Sequence, residues 1–280
     1  MITISANGTP ISIEAPQWGY SSLVKMAIKS RRQHDGTYRF ADDDATGGFD
    51  YRIARGVTWL ISTANKSLLS GFLRTAGQAR AENISIELGS DATGFFPFGP
   101  DLGDKGTFVC RPISRDESGM IFQPWKYWED AFDLVLVSAP AYSIPAEKKE
   151  GTFQIGTVTE IRYPQNSFSS RLMPGWSADI SRTGQPESID LGAAADTWQS
   201  EWTQECNQTK SAKLVQFLTG SSGRTADISI ITGSGAYPFH IDNLSGGTFI
   251  SKFIQDHIEI KHERWDMFSM KLKFLFRSAS

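Results

Sequence analysis

Cysteine is nearly missing from this sequence: 280 residues contain two, Cys110 and Cys206. There is no Cys-x-x-Cys and no cysteine–histidine pair at metal-ligand spacing, which excludes the common structural zinc motifs. One disulfide between the two is allowed, but two free, buried thiols in a reducing compartment fit better. Histidine is also sparse, with His34, His240, His257 and His262. None falls in H-E-x-x-H or another zinc spacing. His257 and Glu259 share one face of a candidate strand with Lys261, and His262 faces the other way, the pattern of a solvated strand face.

Charge excess is lacking too. Lys and Arg number 28 against 31 Asp and Glu, a net charge of −3. A dedicated nucleic-acid binder would carry a basic excess or stripe. No apolar run is long enough for a membrane span, so no membrane insertion is expected. The start, Met1-Ile2-Thr3-Ile4-Ser5, has neither a basic nor an apolar leader stretch, and no signal peptide is expected. The chain reads as made and folded in a cytoplasm.

Catalytic signatures are absent. There is no G-x-S-x-G elbow, no P-loop and no G-x-G-x-x-G after a strand. No cofactor and no catalytic or metal-binding residue is expected, and the chain is read as not an enzyme. Only a hydrolase site assembled from distant residues escapes this test. The run Asp42-Asp43-Asp44 lacks the alternating ligands and closing Glu of a calcium loop and reads as solvated.

What is present is apolar and aromatic material, 40% and 12% of residues, enough for a sizeable core. It is arranged as an internal repeat. Phe96-Pro97-Phe98 and Tyr237-Pro238-Phe239 lie 141 positions apart. At the same offset Gly106-Thr107-Phe108 matches Gly247-Thr248-Phe249, and Ile113 matches Ile254. Upstream, Ile84-Ser85-Ile86 matches Ile228-Ser229-Ile230, and Leu69, Phe72 and Leu73 match Leu214, Phe217 and Leu218. Downstream, Trp128 answers Trp265, and Phe132, Leu134 and Leu136 answer Phe268, Met270 and Leu272. The offset drifts in one direction, as in a duplication with small insertions.

Each copy reads the same way. In the second, Thr197 to Gln204 alternates as a strand with Trp198 and Trp202 on one face. Asn207 or Thr209 caps a helix carrying Leu214, Val215 and Leu218, and Gly220 ends it. Short strands follow over Asp227–Thr232 and from Gly247. A last strand, Phe268 to Phe276, places Phe268, Met270, Leu272, Phe274 and Phe276 on one face and Lys271 and Lys273 on the other. In the first copy a strand over Gly56–Thr63 precedes a helix capped by Asn65. Strands over Ile84–Leu88, from Gly106 and over Phe132–Val137 complete it. The expected fold is mainly β: two tandem antiparallel sandwich or barrel domains, each with one short α-helix.

The first domain spans 1–140, with a polar loop near 33–50 that is a long hairpin or a mobile loop. An exposed linker covers 141–151, within a seam from Ser138 to Gly151 marked by Pro140, Pro145 and Glu147-Lys148-Lys149-Glu150. The second domain spans 152–280. The last strands of the two copies carry opposite signs on their polar faces, Asp133 against Lys271 and Lys273. This is solvation, or a candidate assembly interface in which equivalent faces pair.

This order of elements resembles the tube-type domains of bacteriophage tail tips, the family that includes the minor tail protein M of lambda-like phages. The likeness rests on the Trp198/Trp202 strand, the helix with Leu214, Phe217, Leu218 and Gly220, and Tyr237-Pro238-Phe239. The strand from Gly247, Trp265 and the alternating last strand complete it. It covers about Gly175 to Phe276, and more weakly Val57 to Val137. The resemblance implies a structural protein of the virion tail, a distal ring that joins the tail tube protein to a distal hub protein. The channel of such a ring passes the tape measure protein and then DNA, in transit only, at ejection. Two domains per chain let three chains build a pseudo-sixfold homo-oligomeric ring, with six chains in two stacked rings as the alternative. Asp42, Asp43 and Asp44 then form a candidate inter-ring loop. The competing reading is a tandem β-sandwich that binds carbohydrate or a receptor through Trp176, Trp125 or Trp128.

Overall fold

A computed structural model describes residues 2–6, 9–13, 20–26, 28–32, 38–42, 51–55, 58–62, 83–89, 94–113, 121–123, 127–131, 133–147, 149–151, 153–164, 169–173, 176–180, 186–190, 197–232 and 247–277. The fold is mainly β. The N-terminal half contributes β1 (Ile2–Ala6), β2 (Thr9–Ile13), β3 (Ser21–Lys25), β4 (Ile28–Arg32), β5 (Tyr38–Asp42), β6 (Tyr51–Arg55), β7 (Thr58–Ser62), β8 (Ile84–Leu88), β9 (Gly106–Ile113), β10 (Ile121–Gln123), β11 (Tyr127–Ala131) and β12 (Asp133–Ser138). The C-terminal half contributes β13 (Phe153–Ile155), β14 (Val158–Ile161), β15 (Ser169–Met173), β16 (Trp176–Ile180), β17 (Pro186–Asp190), β18 (Thr197–Asn207), β19 (Ile228–Ile231), β20 (Thr248–Phe253), β21 (His257–Arg264) and β22 (Met267–Arg277). Between β18 and β19 lie α1 (Gln208–Thr219) and α2 (Ser221–Arg224).

Period-two alternation makes these strands. In β8, Ile84, Ile86 and Leu88 are buried while Glu87 is exposed, as a pleat with one face on a core requires. Asn207 is the N-cap of α1: its side chain accepts from the Lys210 N–H at 3.0 Å, satisfying a donor that the helix cannot. Gly220 closes the helix and donates to the Gln216 carbonyl.

The strand pairing order of the N-terminal half recurs in the C-terminal half. β1 pairs β2 and β8, β8 pairs β9, and β9 pairs β12. Likewise β13 pairs β14 and β19, β19 pairs β20, and β20 pairs β22. The β4–β5 and β16–β17 hairpins correspond in length and spacing. β3 flanks β6 as β15 flanks β18, and β10 flanks β11 as β21 flanks β22. The single long β18·β22 ladder matches two shorter ones, β6·β12 and β7·β11.

Registers repeat along with order. Ile84 pairs Cys110, and Ile228 pairs Ser251; Ile86 pairs Phe108, and Ile230 pairs Phe249. Positions matched by sequence are thus matched by partner. The last strands correct one match. Leu134 and Leu136 pair Pro112 and Cys110, while Phe274 and Phe276 pair Phe253 and Ser251. The counterparts of Leu134 and Leu136 are therefore Phe274 and Phe276, not Met270 and Leu272. Alternation gives every second residue the same signature, so a four-residue slip leaves the apolar face intact and escapes notice in sequence.

The described strands do not form a separate sheet for each half. Fifteen of them run in one sheet, ordered β14-β13-β19-β20-β22-β21-β3-β6-β12-β9-β8-β1-β2, with β18 and β15 on the other side of β22. β21 pairs β3 and so joins the halves. Two cores lie on this sheet. One holds Ile2, Ile4, Ile86, Phe98, Phe108 and Leu134. The other holds Phe153, Trp202, Leu214, Leu218, Phe268 and Phe274, and it also takes in Val24, Met26 and Phe96 from the N-terminal half.

Two expectations gain detail. Within the polar 33–50 segment, β5 pairs β4, and the C-terminal half pairs β16 and β17 over equal lengths. Residues 33–37 and 43–50 lie outside the described residues, as do the expected helix from Asn65 and the Tyr237-Pro238-Phe239 step. The described residues of the 141–151 segment are mostly exposed, as expected of a linker, but the segment is also anchored. Tyr142 accepts a hydrogen bond from Gln208 at 2.7 Å. Glu147 binds Lys213 at 2.9 Å and also Lys210, whose side chain is fully buried. Glu150 takes a hydrogen bond from the Asn207 backbone at the N-cap of α1, but burial dominates and raises its pKa.

Candidate functional site at the joint between the halves

The joint is built from an edge strand on each side. Ser21 to Lys25 of β3 pair Lys261 to His257 of β21. Val24, Ile258 and Ile260 are buried, whereas Glu259 and Lys261 face solvent. Beyond the end of β3, Met26 N–H donates to the Asp256 carbonyl at 2.7 Å. Lys25 and His257 both hydrogen-bond the Asp256 carboxylate. Burial raises the Asp256 pKa, but these two partners outweigh it and the net shift is downward.

At the opposite end the joint is aromatic. His262 N–H donates to the Tyr20 carbonyl at 3.1 Å. The Tyr20 hydroxyl accepts from Phe96 N–H at 2.8 Å and lies 2.7 Å from His262 Nδ1. His262 Nε2 lies 3.2 Å from the Trp265 carbonyl. A carbonyl can only accept, so Nε2 carries the proton and Nδ1 accepts the Tyr20 O–H. A neutral imidazole satisfies this network. Burial pushes His262 below its ordinary value, against the Trp265 hydrogen bond, and pushes the Tyr20 hydroxyl well up.

Phe96-Pro97-Phe98 stitches the two cores. Phe96 meets Phe268 edge-on at 5.2 Å between ring centres, and Phe98 packs on Phe108 at 5.7 Å. His262 stacks on Phe268 at 4.8 Å. Full burial of one such ring contributes about 2–3 kcal/mol. Nearby, Arg52 grips Asp101 with two hydrogen bonds, at 2.7 and 2.6 Å, and donates to the Phe98 carbonyl at 3.1 Å. This bidentate pair fixes the loop that delivers both phenylalanines.

The structure places the sequence-predicted residues as follows. Asp133 pairs Ile113, and Ile254 N–H donates to the Lys273 carbonyl. Since Ile113 and Ile254 correspond, Asp133 and Lys273 hold equivalent places with opposite signs. Within the C-terminal half, the lysine charges are met by Glu201 on β18, 2.5 Å from Lys271 and 3.8 Å from Lys273. Glu201 holds the exposed Lys271 ammonium above its ordinary value. Asp42 ends β5 opposite Ile28; Asp43 and Asp44 lie outside the described residues. The structure does not bring Asp42 together with Asp133, Lys271 or Lys273 in one ladder. Trp125 lies outside the described residues, and Trp128 and Trp176 sit in β11 and β16.

Cys110 and Cys206 are both free and buried. Burial pushes the Cys110 thiol up to about 12 and Cys206 higher still. Among the described residues no group of three His, Cys, Asp or Glu could hold a metal ion, and no helix is long and apolar enough to cross a membrane. No protein-family model matches the chain, and no curated protein sequence matches it.

Sequence reasoning missed Tyr20, Glu147 and the role of His262. One signal was available for the joint. Ser21-Ser22 and Ser169-Ser170 repeat at the starts of β3 and β15.

Proposed function

We propose that this chain is a structural protein of a bacteriophage tail tip or baseplate, built from two tandem tube-type β domains. In this reading it forms a ring around the tail channel and joins the tail tube to the distal hub. The observation that carries it is the recurrence of strand order and register in the two halves. Ile84 opposite Cys110 has its counterpart in Ile228 opposite Ser251. A chain holding two copies of one unit is suited to a closed ring with twice as many units as chains. The phage assignment itself comes from the resemblance to tail-tip tube domains.

Three chains then supply six units, a geometry that links a sixfold tube to a threefold hub; six chains in two stacked rings is the alternative. The chain acts as a connector and not as an enzyme. Its partners are further copies of itself, the tail tube, hub and tape measure proteins, and DNA in transit. A net charge of −3 suits a channel that must release DNA, because basic contacts would hold phosphates by counterion release. Opposite charges at the equivalent positions Asp133 and Lys273 would distinguish neighbouring units around the ring.

Native mass spectrometry and negative-stain electron microscopy of the purified chain, alone and with the tail tube and hub proteins, test this reading. Annular particles with three or six copies are expected. A single chain under all these conditions would sink it.

A further inference from the structure

We propose that the outer edges of β10 and β15 bind each other between neighbouring copies of this chain, as an antiparallel ladder that repeats the β21·β3 joint. The inference rests on the ring reading above and names the surfaces that close the ring.

Among the described residues, every strand pairing in one half has a counterpart in the other, with one exception. Of these pairings, β21·β3 alone crosses between the halves. Its counterpart would join β10, which flanks β11 as β21 flanks β22, to β15, which flanks β18 as β3 flanks β6. Among the described residues, β10 pairs only β11 and β15 pairs only β18. No strand among the described residues covers the second edge of either, and unpaired edges of backbone N–H and C=O groups recruit further strands. The in-chain joint shows what fits: an edge of this same fold, in antiparallel sense.

One chain carries both edges, and they are different surfaces. Their contact is head-to-tail, the kind that generates rings. The register also follows. β3–β4–β5 and β15–β16–β17 have identical spacing, so Ser21 corresponds to Ser169. The Leu134–Phe274 match carries back along the chain to align Trp125 with Trp265 and Ile121 with Lys261. Lys261 pairs Ser21 within the chain, so Ile121 of one copy lies opposite Ser169 of the next. The sequence repeats the bridging element as well: Phe96-Pro97-Phe98, which spans the in-chain joint, has its counterpart in Tyr237-Pro238-Phe239.

The experiment is disulfide trapping with the full chain carrying Ile121→Cys and Ser169→Cys. Cys110 and Cys206 are buried and give little background. Mild oxidation with copper-phenanthroline, read on a denaturing gel, should give a ladder of linked chains that ends at the ring number. Either single variant should remain one chain. Hydrogen exchange on the unmodified protein gives a second readout. Amides in 121–123 and 169–173 should gain at least tenfold protection in the assembled fraction over the single-chain fraction. Rings that form without the cross-link and without this protection would overturn the edge assignment and leave the ring reading standing. A protein that stays a single chain at every concentration, and with its tail partners, would overturn both.

Discussion

The Tyr20 hydroxyl sits 2.7 Å from Nδ1 of His262, across a sequence separation of 242 residues. The two side chains come from opposite halves and are almost fully buried, 3% and 2% exposed. Each settles the protonation of the other. Phe96 N–H occupies one lone pair of the hydroxyl, and the hydroxyl proton goes to a neutral imidazole. The joint is thus held by a directional polar contact inside an aromatic cluster, where an unmade hydrogen bond is expensive.

Tyr20→Phe keeps the ring and removes the hydroxyl. It leaves Phe96 N–H buried without its acceptor and His262 Nδ1 without its donor. A loss of about 1–3 kcal/mol is expected. Urea unfolding checks it; a change below about 0.5 kcal/mol, the range of an ordinary surface substitution, would show that the hydroxyl does not hold the joint.

Acid should loosen the same contact. The folded pKa of His262 lies below its ordinary value because of burial, so the folded state binds fewer protons than the unfolded one. Its contribution is complete above the unfolded value of about 6.5 and is lost as pH falls from there through the folded pKa. Protonated Nδ1 would become a donor and strand the Tyr20 proton. Unfolding midpoints between pH 8 and pH 5 should fall more steeply for the native chain than for His262→Gln, and equal slopes would contradict this.

Glu147 governs a lower pH window. Hydrogen bonds from Lys210 and then Lys213 hold its carboxyl below the usual range. Its contribution is complete above about 4.3, the ordinary glutamate value, and disappears as pH falls through the depressed one. Glu147→Gln removes the negative charge and one of the two oxygens that accept from Lys210 and Lys213, leaving buried Lys210 with the Thr159 carbonyl and at most a neutral amide oxygen. Since Glu147 is one-third exposed, the expected loss is at the low end of about 1.5–3 kcal/mol. Limited proteolysis should cut faster within 141–151, and an unchanged cutting rate would show that Glu147 does not anchor this segment.

Gly156, in the turn between β13 and β14, has φ of +57°. A Cβ there would lie 2.0 Å from Cζ of Phe217. Gly156→Ala combines left-handed strain with displacement of that ring and should cost about 1–3 kcal/mol. In a Phe217→Leu background the penalty should shrink, because the ring atoms in conflict are gone. Thermal melts of the four variants decide it, and an equal penalty in both backgrounds would assign the cost to the backbone alone.

Local pattern carried far in this sequence, and the reason is physical. Ile84–Leu88 is a strand within its expected bounds because alternation specifies a half-buried strand. Asn207 and Gly220 bound the helix because capping chemistry is local. The repeat is visible because both copies bury the same positions. Non-local facts were not legible. Nothing near His262 announces Tyr20, and nothing near Lys271 announces Glu201, since both contacts depend on strand order and register. Glu147 was read as solvated because a charged run beside prolines looks alike whether it is free or docked. The four-residue slip in the last strand had the same origin: a period-two pattern sets the face of a strand but not its place along the ladder.

The β21·β3 ladder also has a consequence for how the chain associates. Its two strands are tethered, so it forms at a fixed effective concentration and does not weaken on dilution. A joint of the same build between chains carries the entropic cost of bringing separate bodies together. In the proposed ring, fusing two units would make half of the contacts independent of how much protein the cell has made. Two encounters would gather a circle that needs five when every unit is separate, and a covalent pair cannot be incorporated out of turn.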